Sequence, residues 1–308
     1  MYTSDMRAFA FILLLLTSAR ADVTIRYQAT VTPSPIMPPE AQAQVKQTAG
    51  APVTMLVKGS KGYTQMKDVI TVTDLAKQTT TFINNAQKTY ATVSMNDYDK
   101  VIAQMLPNIS PETRSMLDNM ETKFESKDTG RKQTIQGIVA EDYQVTITIS
   151  AKTATDQEKS GVMMRMVLDI WSADPNEAAR VPALSEVERF TALSQTAMNP
   201  TAMVQQMLGP YSAMSKEYEA LAKGLLRRKS LVLRTHVSLY VPSLAQAASA
   251  LAGAGRQVPA FDPNGPLIEL NQEVVELSTA PVNPSVFEVP ASYKESTAAE
   301  IMKTRLEK

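Results

Sequence analysis

Residues 53–95 read VTMLVKGSKGYTQMKDVITVTDLAKQTTTFINNAQKTYATVSM. Short runs rich in Thr and Val, the residue types that suit a pleated strand, alternate with turn signals. Gly59-Ser60-Lys61-Gly62 separates VTMLV from YTQMK, and Lys67-Asp68 separates that run from VITVTDL. Ala76-Lys77-Gln78 then leads into TTTFIN, and Asn85-Ala86-Gln87 into KTYATVS. A parallel crossover needs a dozen or so residues, and no gap here is that long, so the strands must pair antiparallel as a meander.

Upstream of the meander, Val23, Ile25, Tyr27, Ala29 and Val31 alternate with Thr24, Arg26, Gln28 and Thr30, the pattern of a half-buried strand. Residues 33–52 open with PSPIMPPE and are rich in Pro, Ala and Gln, which predicts a mobile loop with little structure of its own. Before these lies a secretory pattern. Arg7 is followed by the uncharged run AFAFILLLL (Ala8 to Leu16) and then Ala19-Arg20-Ala21, with small residues where signal peptidase prefers them. Cleavage is expected between Ala21 and Asp22. The apolar run is shorter than the roughly 20 residues a membrane-spanning helix needs, so no transmembrane anchor is expected after cleavage. The chain has no Cys, hence no disulfides and no thiol for lipid attachment. The expected location is the periplasm or the extracellular medium.

Downstream, Asn96 and Ser110 are placed to cap helices over DYDKVIAQML and over 111–120. Longer strands are predicted at Gly137–Ser150 and Val162–Ser172. Tyr143, Val145, Ile147 and Ile149 share a face of the first, and Val162, Met164, Met166, Leu168 and Ile170 share a face of the second. Residues 181–226 read as a helical block. Strands return at 231–240 and 267–277, with the Ala-rich LAQAASALAGAG between them as a short helix. Val286–Pro290 reads as a last short strand, and 295–307 as an exposed tail helix within a C-terminal segment, 292–308. Residues 22–291 form one domain, of α+β class.

The order of these elements resembles the LolA-like group of exported bacterial proteins. The resemblance rests on the early meander, on RKQTIQGIVAEDYQVTI (131–147) with VLDIWSA (167–173) and a Pro-led helix after it, and on the ending VNPSVFEVPASYKE (282–295). It implies an antiparallel sheet curled into an incomplete barrel, with helices covering its concave side and a hydrophobic cleft suited to an acyl chain. The chain departs from the lipoprotein carriers of that group in its greater length, its 33–52 segment and its larger helical block.

Lys and Arg number 31 against 31 Asp and Glu, so no long-range field draws the protein to nucleic acid. No motif calls for a cofactor or a metal. His236 is the only histidine and cannot build a multi-histidine metal site; with no Gly-x-Ser-x-Gly nearby it is read as an ordinary strand residue. The pairs Asp97/Asp99, Glu141/Asp142 and Glu186/Glu188 are read as solvated surface charge, and 58–62 as a hairpin turn. The chain is therefore expected not to be an enzyme. Met198, Met203, Met207 and Met214 lie in the helical block, and flexible, polarisable Met suits an adaptable apolar surface. With Trp171 they form the expected ligand cleft, for a lipid, acyl chain or lipidated protein. Plain core packing is the competing reading of the same residues. Arg227, Arg228 and Lys229 are candidate contacts to a partner or lipid headgroup. The alternative to a carrier is an envelope interaction or sensor domain using 33–52 and 227–229 as contact sites. N-terminal sequencing of the protein recovered from an expressing bacterium's envelope or medium is predicted to begin at Asp22, and a start at Met1 would contradict the signal reading.

Overall fold

Val23, Ile25 and Tyr27 all face the interior, and the strand that carries them is where the two halves of the molecule meet. In a computed structural model, which describes residues 21–97, 101, 119–151, 161–197, 230–255 and 258–301, strand β1 spans Val23–Pro33. On one side it pairs antiparallel with β2 (Val53–Lys58), and on the other with β11 (Ile268–Ser278). From β2 the chain steps outward through β3 (Lys61–Met66), β4 (Val69–Asp74), β5 (Thr79–Asn84) and β6 (Thr89–Ser94). On the far edge, β7 (Met120–Ile135) starts a second meander. It steps inward through β8 (Ile138–Ala151), β9 (Val162–Ala173) and β10 (Val232–Tyr240) to β11. The short β12 (Lys294–Glu295) adds parallel to β6; the other pairings are antiparallel. The described residues thus form one unclosed sheet of twelve strands with β12 and β7 at its edges. Strongly twisted open sheets beyond about ten strands curl, split or flatten, so an unclosed sheet of this size is consistent with the curled sheet that the resemblance implies.

Local chemistry fixes the first meander's register. Lys67 takes φ 52° in the two-residue turn between β3 and β4, and Gln136 (φ 50°) and Gly137 (φ 74°) do the same between β7 and β8. Positive φ at the first turn position matches the right-handed twist of a tight hairpin. The two four-residue turns share a different device. The Asp74 side chain accepts the amides of Ala76 and Lys77, and the Asn84 side chain accepts that of Gln87, so each acidic or amide group stands in for a backbone acceptor.

Helix α2 (Pro182–Ala197) packs on the face of β1 and β2 that carries Val23, Ile25 and Val57. Ala183, Leu184 and Val187 pack with Val23, Ile25, Val57, Ile138, Ala140 and Leu233 in the largest cluster. The helix is pinned by Arg189, which donates to the Gly59 carbonyl at 3.0 Å. Phe190 lies over Gly62, where a Cβ would come within 2.4 Å of the ring tip. Farther along this face, Phe82 and Ala91 pack against Ala298 and Ile301. The opposite face of the meander presents Tyr63, Ile70, Val72 and Ile83, and the C-terminal segment lays Val282 and Phe287 across them. Asp22 ties the two ends together: its carboxylate accepts from Lys58 Nζ at 2.5 Å and from the Val282 amide at 2.7 Å.

Several expectations are corrected. Residues 39–49 form helix α1 (Pro39–Ala49) beside β1, because PEAQAQVKQTA places Pro at the first helical turn and good helix formers after it. Helix continuing to Met120 is replaced there by the start of β7, a long strand the sequence reading missed because METKFESKDTGRKQTI lacks an apolar face. Val286–Pro290 is not a strand: Pro284–Phe287 is a 3-10 turn, capped by the Asn283 side chain accepting the Ser285 amide. The tail is not wholly exposed, since Ile301 has 0% exposure. Of the helix expected beyond Asp97 only Val101 is described, and it is helical; the rest of that helix and the helix over 198–226 lie outside the described residues. The Ala-rich insert is helix α3 (Pro242–Gly253), as expected.

Gly62→Ala is predicted to destabilise the protein by about 1–3 kcal/mol through overpacking against Phe190. Chemical denaturation should show the loss largely recovered in Gly62→Ala/Phe190→Leu.

Candidate functional site

On β1, the side that turns Val23 and Ile25 toward α2 continues past Tyr27 as two apolar rows. Cross-strand pairing sets them in line. Val145, Leu168, Val237, Leu270 and Val31 form one row from β8 to β1. Phe124, Ile147, Met166, Leu239, Ile268 and Pro33 form the next, from β7 to β1. Ile149 and Met164 extend them by one more pair. Alternation dictates this, because in each strand the residues between these are Thr, Ser, Gln, Glu, Arg or Val. Val145 (2% exposed), Ile147 (8%) and Ile149 (7%) are buried, whereas Met164, Met166, Leu168, Val237, Leu239, Leu270 and Ile268 are only partly so. None of these belongs to the packed clusters formed by α2, by 298–301 or by the C-terminal segment.

The other face of β7–β11 carries Ile138, Ala140, Trp171 and Ala173 in the α2 cluster at one end, and beyond them it is polar and internally paired. Asp142 has 0% exposure, and one of its oxygens accepts from Thr129 Oγ1 at 2.6 Å and from Arg131 Nε and Nη2 at 2.9 and 2.5 Å. Arg131 also donates to Asp169 at 2.8 Å, and Gln144 donates to the same oxygen. The bond to Asp142 raises the Arg131 pKa further above its usual value, so this guanidinium is permanently charged. Gly130, at φ 68°, forms the irregularity in β7 that aims Arg131 inward. Nearby, Arg234 binds Glu273 at 2.7 Å and Gln133 at 2.8 Å. Asp142 is therefore not the solvated surface charge expected from its sequence. The pairing is invisible in sequence because Thr129, Arg131 and Asp169 come from two other strands.

Trp171 pairs with Asp142 in the β8–β9 ladder. It is 9% exposed, packs in the α2 cluster and carries the Arg131 guanidinium 5.4 Å above its ring. Met198, Met203, Met207 and Met214 lie outside the described residues, as do Arg227, Arg228 and Lys229. The methionines that the structure does place on the apolar face are Met164 and Met166. The sequence gives their strand and its face, but not the alignment with β10, β11 and β1 that turns separate stripes into one surface.

His236 lies on the polar face. Its Nε2 is 3.1 Å from Ser238 Oγ and 3.7 Å from Glu269 Oε1. A hydrolytic relay needs the serine and the carboxylate on opposite ring nitrogens, and here one nitrogen faces both. Among the described residues, no group of three or more His, Asp or Glu is gathered as a metal site. No described helix is long and apolar enough to cross a membrane. The burial of the Tyr27 phenol raises its pKa, so it stays protonated and donates to the Val232 carbonyl at 3.0 Å.

No family model matches the sequence, and no curated protein does. Among solved structures, one described as "Structure of PNGF-II in C2 space group" is similar over 93% of this chain, at 9% identity and a TM-score of 0.34. The match covers 33% of that structure's chain, so this chain spans about a third of its length.

Asp142→Ala is predicted to cost about 1–3 kcal/mol, because Thr129 and Arg131 lose their shared acceptor while half-exposed Arg131 can still reach water. Urea denaturation checks this.

Proposed function

We propose that the chain is a non-catalytic exported protein that holds an apolar chain, as a free lipid or as the acyl group of a lipidated partner, against the two apolar rows of β8–β11 and β1. The observation that carries this reading is the run of partly exposed Leu, Val, Ile and Met side chains across the four neighbouring strands β9, β10, β11 and β1, outside the cores packed by α2 and the C-terminal segment. A contiguous apolar surface of that kind is uncommon on a soluble protein without a function. Met164 and Met166 stand near its centre, and unbranched thioether side chains adapt to chains of varied length and unsaturation. The unclosed sheet and the LolA-like order of elements support the same reading. So does the position of β1, which begins two residues after the expected signal cleavage site.

The reading makes the sheet, rather than a catalytic group, the working part. Binding draws on apolar area removed from water, at about 25 cal/mol per Å², so affinity should grow with acyl length and depend weakly on headgroup. Native mass spectrometry of protein purified from its own compartment is expected to show a co-purified lipid. Leu168→Asp, in the first row, should reduce uptake of a fluorescent fatty acid about tenfold or more, whereas Thr30→Asp on the opposite face of β1 should not. A lipid-free mass together with no uptake by the wild type would contradict the proposal.

A further inference from the structure

A separate cavity of about 570 Å³ opens on the opposite, polar face, where β8, β9 and β10 end. Its floor is set by strand register. Arg165 stands directly between Thr148 and Tyr240 across the three strands, and Thr146 lies two residues along on the same face. One wall is the turn at 262–267, fixed by the Leu267 amide on the Leu239 carbonyl at 2.6 Å and by the Ser34 amide on the Leu267 carbonyl at 2.8 Å. The start of α3 closes another side with Pro242, and Pro263 and Pro266 add rigid apolar surface.

The unusual member is Arg165. Its guanidinium sits 4.4 Å from the centre of the Tyr240 ring. Among the described residues no carboxylate pairs with it, in contrast to Arg131, Arg180, Arg189 and Arg234, each of which has an acidic partner. Stacking uses the face of a guanidinium and leaves its in-plane N–H fork free, already oriented for a two-oxygen acceptor. The acidic groups lining the cavity are engaged elsewhere. Glu125 is bound to Lys123 at 2.9 Å, and Asp262 accepts the Asn264 amide of its own turn at 2.9 Å.

We infer that this cavity is a binding site for a small organic carboxylate, with the carboxylate on the Arg165 fork and the Thr148 hydroxyl, and an apolar body against Tyr240 and the prolines. The two nearby carboxylates favour a monoanion over a phosphate dianion, which they would repel more strongly. The volume falls in the range of small-molecule sites, roughly 300–1,000 Å³. The site lies on the opposite side of the sheet from the apolar rows, so it stands or falls independently of the acyl-chain reading.

Calorimetry and saturation-transfer NMR on the full chain, with benzoate, phenylacetate and hexanoate set against their amides, test the inference. At least one acid is expected to bind, its amide at least about tenfold more weakly, since the ion-assisted hydrogen bonds are lost. Arg165→Gln should abolish the preference for acid over amide, and Arg165→Lys should weaken binding because an ammonium offers no fork. Leu168→Asp should leave it unchanged. Thermal melts establish that these variants are folded. The inference is overturned if no acid saturates the protein up to about 10 mM, if acid binding survives Arg165→Gln, or if methyl phosphate binds more tightly than the acids.

Discussion

The structure depends on the double ladder of β1. A strand in the middle of a sheet satisfies its amides and carbonyls on both sides, and β1 does so with β2 along one edge and β11 along the other. Those partners belong to different meanders, one built outward from β1 and one built inward from the far edge. Among the described residues, the two meanders share no hydrogen-bond ladder without β1. Burial reinforces the joint: Val23 and Ile25 have no exposure and sit in the cluster that α2 covers. The long separation in sequence between β1 and β11 also means that the joint closes only when most of the chain is in place, a slow topology for folding.

From this joint follows a division of labour along one face of the sheet. Near the start of β1, helix α2 and the sheet make a packed interior. Four residues further along β1, about 13 Å at 3.3 Å per residue, the apolar rows begin. They owe nothing to α2 or to the C-terminal segment. On the opposite face, Ile138, Ala140, Trp171 and Ala173 of β8 and β9 join the α2 cluster, and beyond them the surface is polar and organised by charge: Arg131 with Asp142 and Asp169, Arg234 with Glu273. One sheet thereby offers an apolar surface and a polar one.

How much of this was legible in sequence varies with the range of the interaction. The five strands of the first meander, β8 to β11 and the Ala-rich helix follow from alternation and turn chemistry, which act over a few residues. Helix α1 was obscured by PSPIMPPE: the prolines broke the pattern just before a helix that one of them in fact starts. Strand β7 was missed because an edge strand needs no apolar stripe, and its charged residues suit exposure. The burial of Asp142 and the unpaired fork of Arg165 depend on neighbours from other strands, and no spacing rule reports them. The apolar rows fall between these cases. Leu168 and Met166 could be assigned a face, but their union with Val237, Leu270 and Val31 required the register.

The most direct test of the acyl-chain account uses the absence of cysteine in the chain. Leu168→Cys and Thr30→Cys place single thiols on the two faces of the sheet, and their rates of maleimide labelling can be followed with and without oleate. Oleate is predicted to slow labelling at position 168 severalfold and to leave position 30 unchanged. Equal rates at position 168 with and without saturating oleate, or equal slowing at both positions, would contradict it.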